Sequence, residues 1–309
     1  MPIYLPPQNR RRFLQGATAA ASALLVGVRA PLAWSGPSVA SDPNRFALLS
    51  DTHISKNRDA AVGDTNMYQN LNRAVSELLT ACCQAGGPGA LLHAGDCAFL
   101  GGGSDDYVVL LELLAPLRKA GLPLHVALGN HDHRERFWSA DPALKSAQPE
   151  VDDKQVAVVE SPNANWFMLD SLVKVLYTPG QFGDAQLKWL AGALDARSDK
   201  PAIILAHHNP SKDSGPGASL IDWQALRDII MPRRHVKAFV FGHTHFWQYR
   251  EEDGLHLINL PPVAYPSSRG GPSGWVDARL AKSNGIFELH SLDEKHPAHG
   301  QKLELAWRT

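Results

Sequence analysis

The sequence predicts an α/β domain in which two packed sheets carry helices on their outer faces. Three observations lead there. Five apolar, strand-like runs each end on oxygen- or nitrogen-bearing side chains: Ala47–Ser50, Leu91–Ala94, Leu124–Leu128, Ala202–Ala206 and Val236–Phe241. Stretches with helical spacing of apolar residues separate the first three runs. From Val236 onward the pattern becomes β-rich, with Asp253-Gly254 and Asn284-Gly285 as hairpin-turn signals.

Taken in order, Phe46 to Leu49 reads as a buried strand. Asp64 and Thr65 can cap a helix whose apolar positions are Met67, Leu71, Ala74, Val75, Leu78 and Cys82. The glycines from Gly86 to Gly89 stop it, and Ala90 to His93 is the next strand. A second helix fits Asp105 to Ala120, with Val108, Leu111, Leu114 and Leu117 on one face and Gly121 as terminator. Leu124 to Leu128 is again a strand. Trp138 to Asp153 has no clear period and reads as a loop with one short helix at most. Val156–Glu160 and Trp166–Asp170 form a hairpin around Ser161-Pro162-Asn163. Asp184 opens a helix with Leu187, Leu190 and Leu194 aligned. The strand ending at Ala206 leads into a polar loop, Asn209 to Gly217, placed as a substrate rim would be. Trp223, Leu226, Ile229 and Ile230 suggest another helix. Val276, Ala278 and Leu280 alternate with Asp277 and Arg279, and Lys302 to Trp307 reads as a last strand.

The chain has 309 residues and is 44% hydrophobic, enough for one large domain or two small ones; no internal repeat or linker divides it. A net charge of -1 offers no global basic field, which argues against a nucleic-acid partner. Three cysteines, Cys82, Cys83 and Cys97, make no disulfide framework and read as small buried hydrophobes. With no Cys-x-x-Cys among them, a thiol-redox role has little support.

The start of the chain reads as a targeting segment, residues 1–40, with the working domain at 41–309. Arg10-Arg11-Arg12-Phe13-Leu14 precedes an apolar stretch, Gly16 to Val28, that is too short to span a bilayer comfortably. The segment resembles a twin-arginine export signal, although Asn9 stands where Ser or Thr is usual. An ordinary secretory signal or an uncleaved anchor is the plainer alternative. Twin-arginine export implies a periplasmic location, transient contact with that export machinery, and no stable membrane anchor after processing.

The strand ends carry the chemistry. Asp51 and His53 are two residues apart, so one turn can aim both at one cation; His243 and His245 share that spacing. Asp96 ends the second run, Asn130 supplies a neutral carbonyl after the third, and His207 adds an imidazole after the fourth. Mixed Asp and His donors suit Mn, Fe or Zn. Asp96 reads as the carboxylate shared by two ions. Two divalent ions sharing a carboxylate sit roughly 3.5–4 Å apart and acidify water toward a pKa of about 7. A lone Asp-x-His or His-x-His belongs more often to a surface loop; joint occurrence after five apolar runs is what favours a metal centre.

Asp51-Thr52-His53, Gly95-Asp96, Gly129-Asn130-His131-Asp132, His207 and Gly242-His243-Thr244-His245 together resemble the calcineurin-like metallophosphoesterase superfamily, in its motif order. The resemblance implies a four-layer α/β/β/α sandwich of two mixed sheets. It implies one ion on Asp51, His53, Asp96 and His245, and another on Asp96, Asn130, His207 and His243. His131 is then the proton donor or stabiliser at the phosphate, with Asp132 orienting it. Phe99 stands where purple acid phosphatases place an iron-ligating tyrosine, so that branch is disfavoured. The pattern is more similar to bacterial phosphodiesterases acting on cyclic nucleotides or glycerophosphodiesters. The expected substrate is a small phosphate ester. A phosphomonoesterase, a nucleotide pyrophosphatase, a nuclease and a non-catalytic metal-binding scaffold are the alternatives.

Other candidates have plainer readings. His93 and His125 lie within strands and belong to the core or behind the ligands. His133 and His208 adjoin the motifs and are open to substrate contact or a structural role. Arg134 and Arg136 could reach a phosphate but read better as solvated loop charges. His256, His290, His296 and His299 look like strand or tail residues, and Trp223, Trp247 and Trp275 like core.

Overall fold

The computed structural model describes residues 40–146, 148–210 and 219–309. The targeting segment before Ala40 and most of the Asn209–Gly217 loop lie outside the described residues. Among the described residues, no helix is long and apolar enough to cross a membrane.

The first sheet is built from β1 (Asp42–Leu49), β4 (Pro88–His93), β5 (Leu124–Val126), β12 (Gly274–Leu280), β13 (Asn284–Ser291) and β14 (Lys302–Ala306), in the order β14-β13-β12-β1-β4-β5. β1, β4 and β5 run parallel, and the late strands add antiparallel to β1. The second sheet is built from β6 (Ala157–Glu160), β7 (Asn165–Met168), β8 (Ala202–Leu205), β9 (Val236–Phe241), β10 (Gln248–Glu252) and β11 (Leu255–Asn259), in the order β10-β11-β9-β8-β7-β6. A two-residue pair, β2 (Ala61–Val62) with β3 (Thr65–Asn66), stands apart. Both sheets are mixed, as expected. The Val236-onward strands divide between them: β9 to β11 join the second sheet and β12 to β14 complete the first.

Side-chain alternation explains the layering, since successive strand residues face opposite sides. Phe46 and Leu48 of β1 meet Trp166, Ile203, Leu205 and Val240 between the sheets. Ala47 and Leu49 face outward, onto α1 (Met67–Cys82) and α2 (Ser104–Lys119). Ala202 and Ile204 of β8 face α4 (Asp184–Asp195) and α5 (Trp223–Ile230). These faces make the expected α/β/β/α sandwich. Each fully buried leucine or phenylalanine contributes about 1.5–3 kcal/mol to holding the layers together.

Local details differ from expectation in four places. Asn66, rather than Asp64 or Thr65, caps α1, accepting the Gln69 amide at 2.8 Å; the small β2–β3 pair delays the helix start. α2 buries Leu114 and Leu117 as expected but is rotated toward its start: Val109, Leu110 and Leu113 are buried while Val108 is half exposed. The rotation buries Tyr107, whose hydroxyl donates to Asp132 at 3.2 Å. Asn284-Gly285 begins β13, and the turn falls at Lys282-Ser283, closed by the Ala281 amide on the Asn284 carbonyl at 2.9 Å. Gly285 is needed for packing: a Cβ there would lie 2.4 Å from the Trp307 ring. The stretch without clear period opens on the end of α3 (Arg134–Ala140), which starts before it, and holds a 3-10 turn, Pro142–Leu144.

Candidate metal centre

Every candidate ligand follows the carboxyl end of a parallel strand. Asp51 and His53 follow β1, Asp96 follows β4, Asn130 and His131 follow β5, His207 follows β8, and His243 and His245 follow β9. The first sheet thus supplies one half of the cluster and the second sheet the other. Beyond the strands, pairing continues through the turns: Asp51 donates its amide to the Gly95 carbonyl and His53 to the Asp96 carbonyl, both at 3.0 Å.

The turns are tight enough to require unusual backbone. Asp51, His53, Asp96, His243 and His245 all have positive φ, between 45° and 70°. They are five of the eight such non-glycine residues among the described residues. A left-handed L-residue costs roughly 1–2 kcal/mol, and such conformations collect at functional sites. Two motif glycines permit close approach. A Cβ on Gly129 would lie 2.2 Å from Asp96 Oδ1, and one on Gly242 would lie 1.9 Å from Ser50 Oγ.

Donor atoms converge in two overlapping groups. His245 Nε2 lies 3.4 Å from Asp51 Oδ1 and 3.0 Å from His53 Nε2. His207 Nε2 lies 3.3 Å from Asp96 Oδ2 and 3.2 Å from His243 Nδ1. Asp96 joins the groups, since the same Oδ2 is 3.7 Å from His53 Nε2. Asn130 Oδ1 is buried with no hydrogen-bond partner among the described residues. Two carboxylates, four imidazoles and an orphaned amide oxygen fit divalent cations.

Backbone carbonyls orient the rings. His207 Nδ1 donates to the Ala94 carbonyl at 3.0 Å, and His245 Nδ1 to the Tyr265 carbonyl at 2.5 Å. Each bond turns Nε2 toward the cluster, as outer partners of metal-bound histidines do. His53 is held by packing, edge-on to His131 and stacked on Tyr265. Burial opposes ionisation of Asp51 and Asp96, but His245 beside the first and His207 beside the second hold both carboxyls well below the usual range. Burial disfavours protonation of His207, yet Asp96 overrides it and pushes the imidazole up to about 9. For His53 burial prevails and lowers it to about 4.

His131 lies at the rim, its ring edge-on to His53 at 5.0 Å between centroids. The expectation that Asp132 orients His131 is corrected. Asp132 is fully buried and accepts from the amides of Gly129, Cys97 and Ala98 at 2.9, 3.2 and 3.1 Å, and from Tyr107. It clamps the ligand loops, and burial with the nearby Asp96 charge raises it to about 6. His131 Nδ1 donates instead to the Leu100 carbonyl at 2.7 Å.

The neighbours sort clearly. Arg134 is no solvated charge: it grips the fully buried Asp170 through two bonds of 2.6 and 2.9 Å. Arg136 bonds the Gly102 carbonyl at 3.1 Å. His208 is buried and bonds Ser171 Oγ at 2.7 Å, which favours its structural reading. His133 pairs outward with Glu135 at 2.9 Å. A separate trio, Asp277, Glu288 and His290, also brings ligand atoms together, but Arg45 and Arg279 already neutralise Asp277. His93, Leu100, Tyr265 and Ala94 act at the centre although the sequence motifs do not contain them. Only His93, lying inside the Leu91–Asp96 run, carried a side-chain signal.

A two-sheet sandwich bearing this Asp/His cluster across its strand ends defines a metal-dependent phosphoester hydrolase. The chain belongs to the calcineurin-like phosphoesterase family, whose model matches residues 44–246. It is 26% identical to a 3',5'-cyclic adenosine monophosphate phosphodiesterase, CpdA, of Pseudomonas aeruginosa over 245 residues, covering 78% of this chain and 84% of that one. The CpdA of Vibrio vulnificus is 27% identical over 235 residues, covering 74% and 79%. A dimetal phosphatase from Danio rerio shares the fold, with a TM-score of 0.67 at 16% identity, covering 86% of this chain and 100% of that one.

Proposed function

We propose that the chain is a dinuclear phosphodiesterase acting on small diesters of the cyclic-nucleotide or glycerophosphodiester type. The observation that carries the dinuclear reading is Asp96 Oδ2, which faces His53 Nε2 at 3.7 Å and His207 Nε2 at 3.3 Å. Asp51, His53, Asp96 and His245 would hold one cation, and Asp96, Asn130, His207 and His243 the other, as Mn, Fe or Zn. Divalent cations there polarise phosphoryl oxygens and acidify water.

The chain's own residues would do the rest. His131 gives its Nδ1–H to Leu100, so Nε2 is the atom left for the ester; with the ring as the imidazolium, Nε2–H would pass its proton to the leaving alkoxide and leave the neutral Nδ1–H imidazole. A diester carries one negative charge and a monoester dianion two. Tight monoester binding would gain from a dedicated Arg or Lys. Arg134 is engaged by Asp170 and Arg136 by loop carbonyls, which supports the diester preference. The cyclic AMP phosphodiesterase relatives support it independently. Export to the periplasm through the twin-arginine route remains part of the proposal, on Arg10-Arg11 and Phe13-Leu14.

Mono-, di- and cyclic phosphate esters assayed against protein reconstituted with Mn2+ or Zn2+ test this function. Diesters should be hydrolysed at least as well as monoesters. A strong monoester preference would overturn the diester assignment, and no hydrolysis of any ester would leave the scaffold alternative standing.

A further inference from the structure

Behind the Asp51–His53 turn and the Gly95–Asp96 turn lies a histidine that touches both and ligates nothing. His93 is the last residue of β4 and is fully buried. Its Nδ1 accepts the Gly95 amide at 3.1 Å, and a backbone N–H can only donate. Nδ1 therefore carries the lone pair, and the ring is the neutral tautomer with its proton on Nε2. Nε2 lies 3.1 Å from Thr52 Oγ1 and so donates to it. Thr52 Oγ1 in turn gives its proton to the Cys97 carbonyl at 3.0 Å. Cys97 Sγ closes the ring, 3.5 Å from His93 Nδ1.

Every donor in this ring meets an acceptor, and no second tautomer satisfies it. The ring joins the middle of one ligand turn, Thr52, to both flanks of the other, Gly95 and Cys97. Those turns hold Asp51, His53 and Asp96 in left-handed backbone that three isolated residues would not adopt together. The Thr52 side chain is buried, so the bond is not exchanged for water.

We propose that His93 is a positioning residue of the metal centre: as the Nε2–H tautomer it locks the Asp51–His53 turn to the Gly95–Asp96 turn, setting the ligands before a cation arrives. This rests on reading Asp51, His53 and Asp96 as cation ligands.

The test titrates Mn2+ into wild-type protein, His93→Leu, His93→Gln, Thr52→Val and the His93→Leu/Thr52→Val double variant. Thermal melts and turnover at saturating Mn2+ accompany each titration. Loss of an outer partner typically weakens metal binding roughly 10–100-fold. His93→Leu should show a loss of that size in Mn2+ affinity by direct titration, a readout separate from turnover at saturating Mn2+. A residue that only filled the core would lower the melting temperature without moving the Mn2+ titration. His93→Gln, whose amide N–H can reach Thr52, should recover part of the loss. The double variant should bind Mn2+ about as well as His93→Leu, because both changes break one ring. Losses that multiply independently would overturn the proposal, as would wild-type Mn2+ affinity in a folded His93→Leu protein. If His93→Leu does not fold, Thr52→Val and His93→Gln decide: weakened binding in Thr52→Val supports the lock, and unchanged binding in both variants overturns it. Wild-type protein that binds no Mn2+ would instead sink the ligand reading itself.

Discussion

Replacing Arg134 by alanine separates a structural cation from a substrate contact. Asp170 is fully buried, and Arg134 meets it through Nε at 2.6 Å and Nη2 at 2.9 Å, while also bonding the Leu172 carbonyl. Removing one partner of a buried pair typically costs about 3–5 kcal/mol, because the survivor is left charged and unpaired. Here the loss belongs near the lower end. Asp170 keeps the amides of Gln155 and Leu172, both at 2.9 Å, and the Arg134 side chain is 16% exposed. About 3 kcal/mol in a domain of this size lowers the melting temperature by roughly 6–12 °C. Thermal melting and steady-state kinetics on one phosphate ester, at a temperature where the variant is folded, make the assay. KM should change little. An unaltered melting temperature with KM raised tenfold would refute the reasoning and return Arg134 to the substrate.

Protein loaded with Mn or Zn should approach two ions per chain; Asp96→Ala should impair both groups and abolish turnover, and two tightly held ions with full activity in that variant would contradict the shared-ligand geometry. His131→Ala should lower kcat roughly 10²–10⁴-fold with metal content intact. That loss should shrink for a nitrophenolate leaving group, and an equal loss for poor and good leaving groups would reject proton donation. Gly129→Ala should weaken metal binding and destabilise the fold by about 1–3 kcal/mol, since the new methyl overlaps the Asp96 carboxylate; isothermal titration and melting would show either. Replacing Arg10 and Arg11 by lysine should leave precursor in the cytoplasm, and fractionation showing unchanged periplasmic yield without the twin-arginine pathway would rule that route out.

What was legible in the sequence follows from which atoms do the work. The candidate ligands are side chains of chemically distinctive type, so Asp51, His53, Asp96 and His243 stand out at the ends of apolar runs. The groups that aim His207, His245 and the proposed proton donor His131 are main-chain oxygens of Ala94, Tyr265 and Leu100, which any residue could supply and no composition reveals. Asp132 was assigned to its sequence neighbour His131, yet its carboxylate turned inward to three amides that only the folded loops bring together. Two-residue periodicity sorted the strand faces well. The Asn284-Gly285 signal failed because tertiary packing under Trp307 had a stronger claim on that glycine than the turn did.

The division of the centre between the two sheets has a consequence for how the chain acquires its cations. On the proposed ligand set, each ion takes donors from both sheets, so neither half alone can complete a coordination sphere. Metal occupancy then reports that the sandwich has closed. The linkage works in reverse as well: a hundredfold excess of cation over its dissociation constant adds about 2.7 kcal/mol against unfolding. A chelator would therefore remove that increment of stability as well as silence the chemistry, leaving the apolar core between the sheets to hold them, and a protease would find the stripped protein sooner than the loaded one.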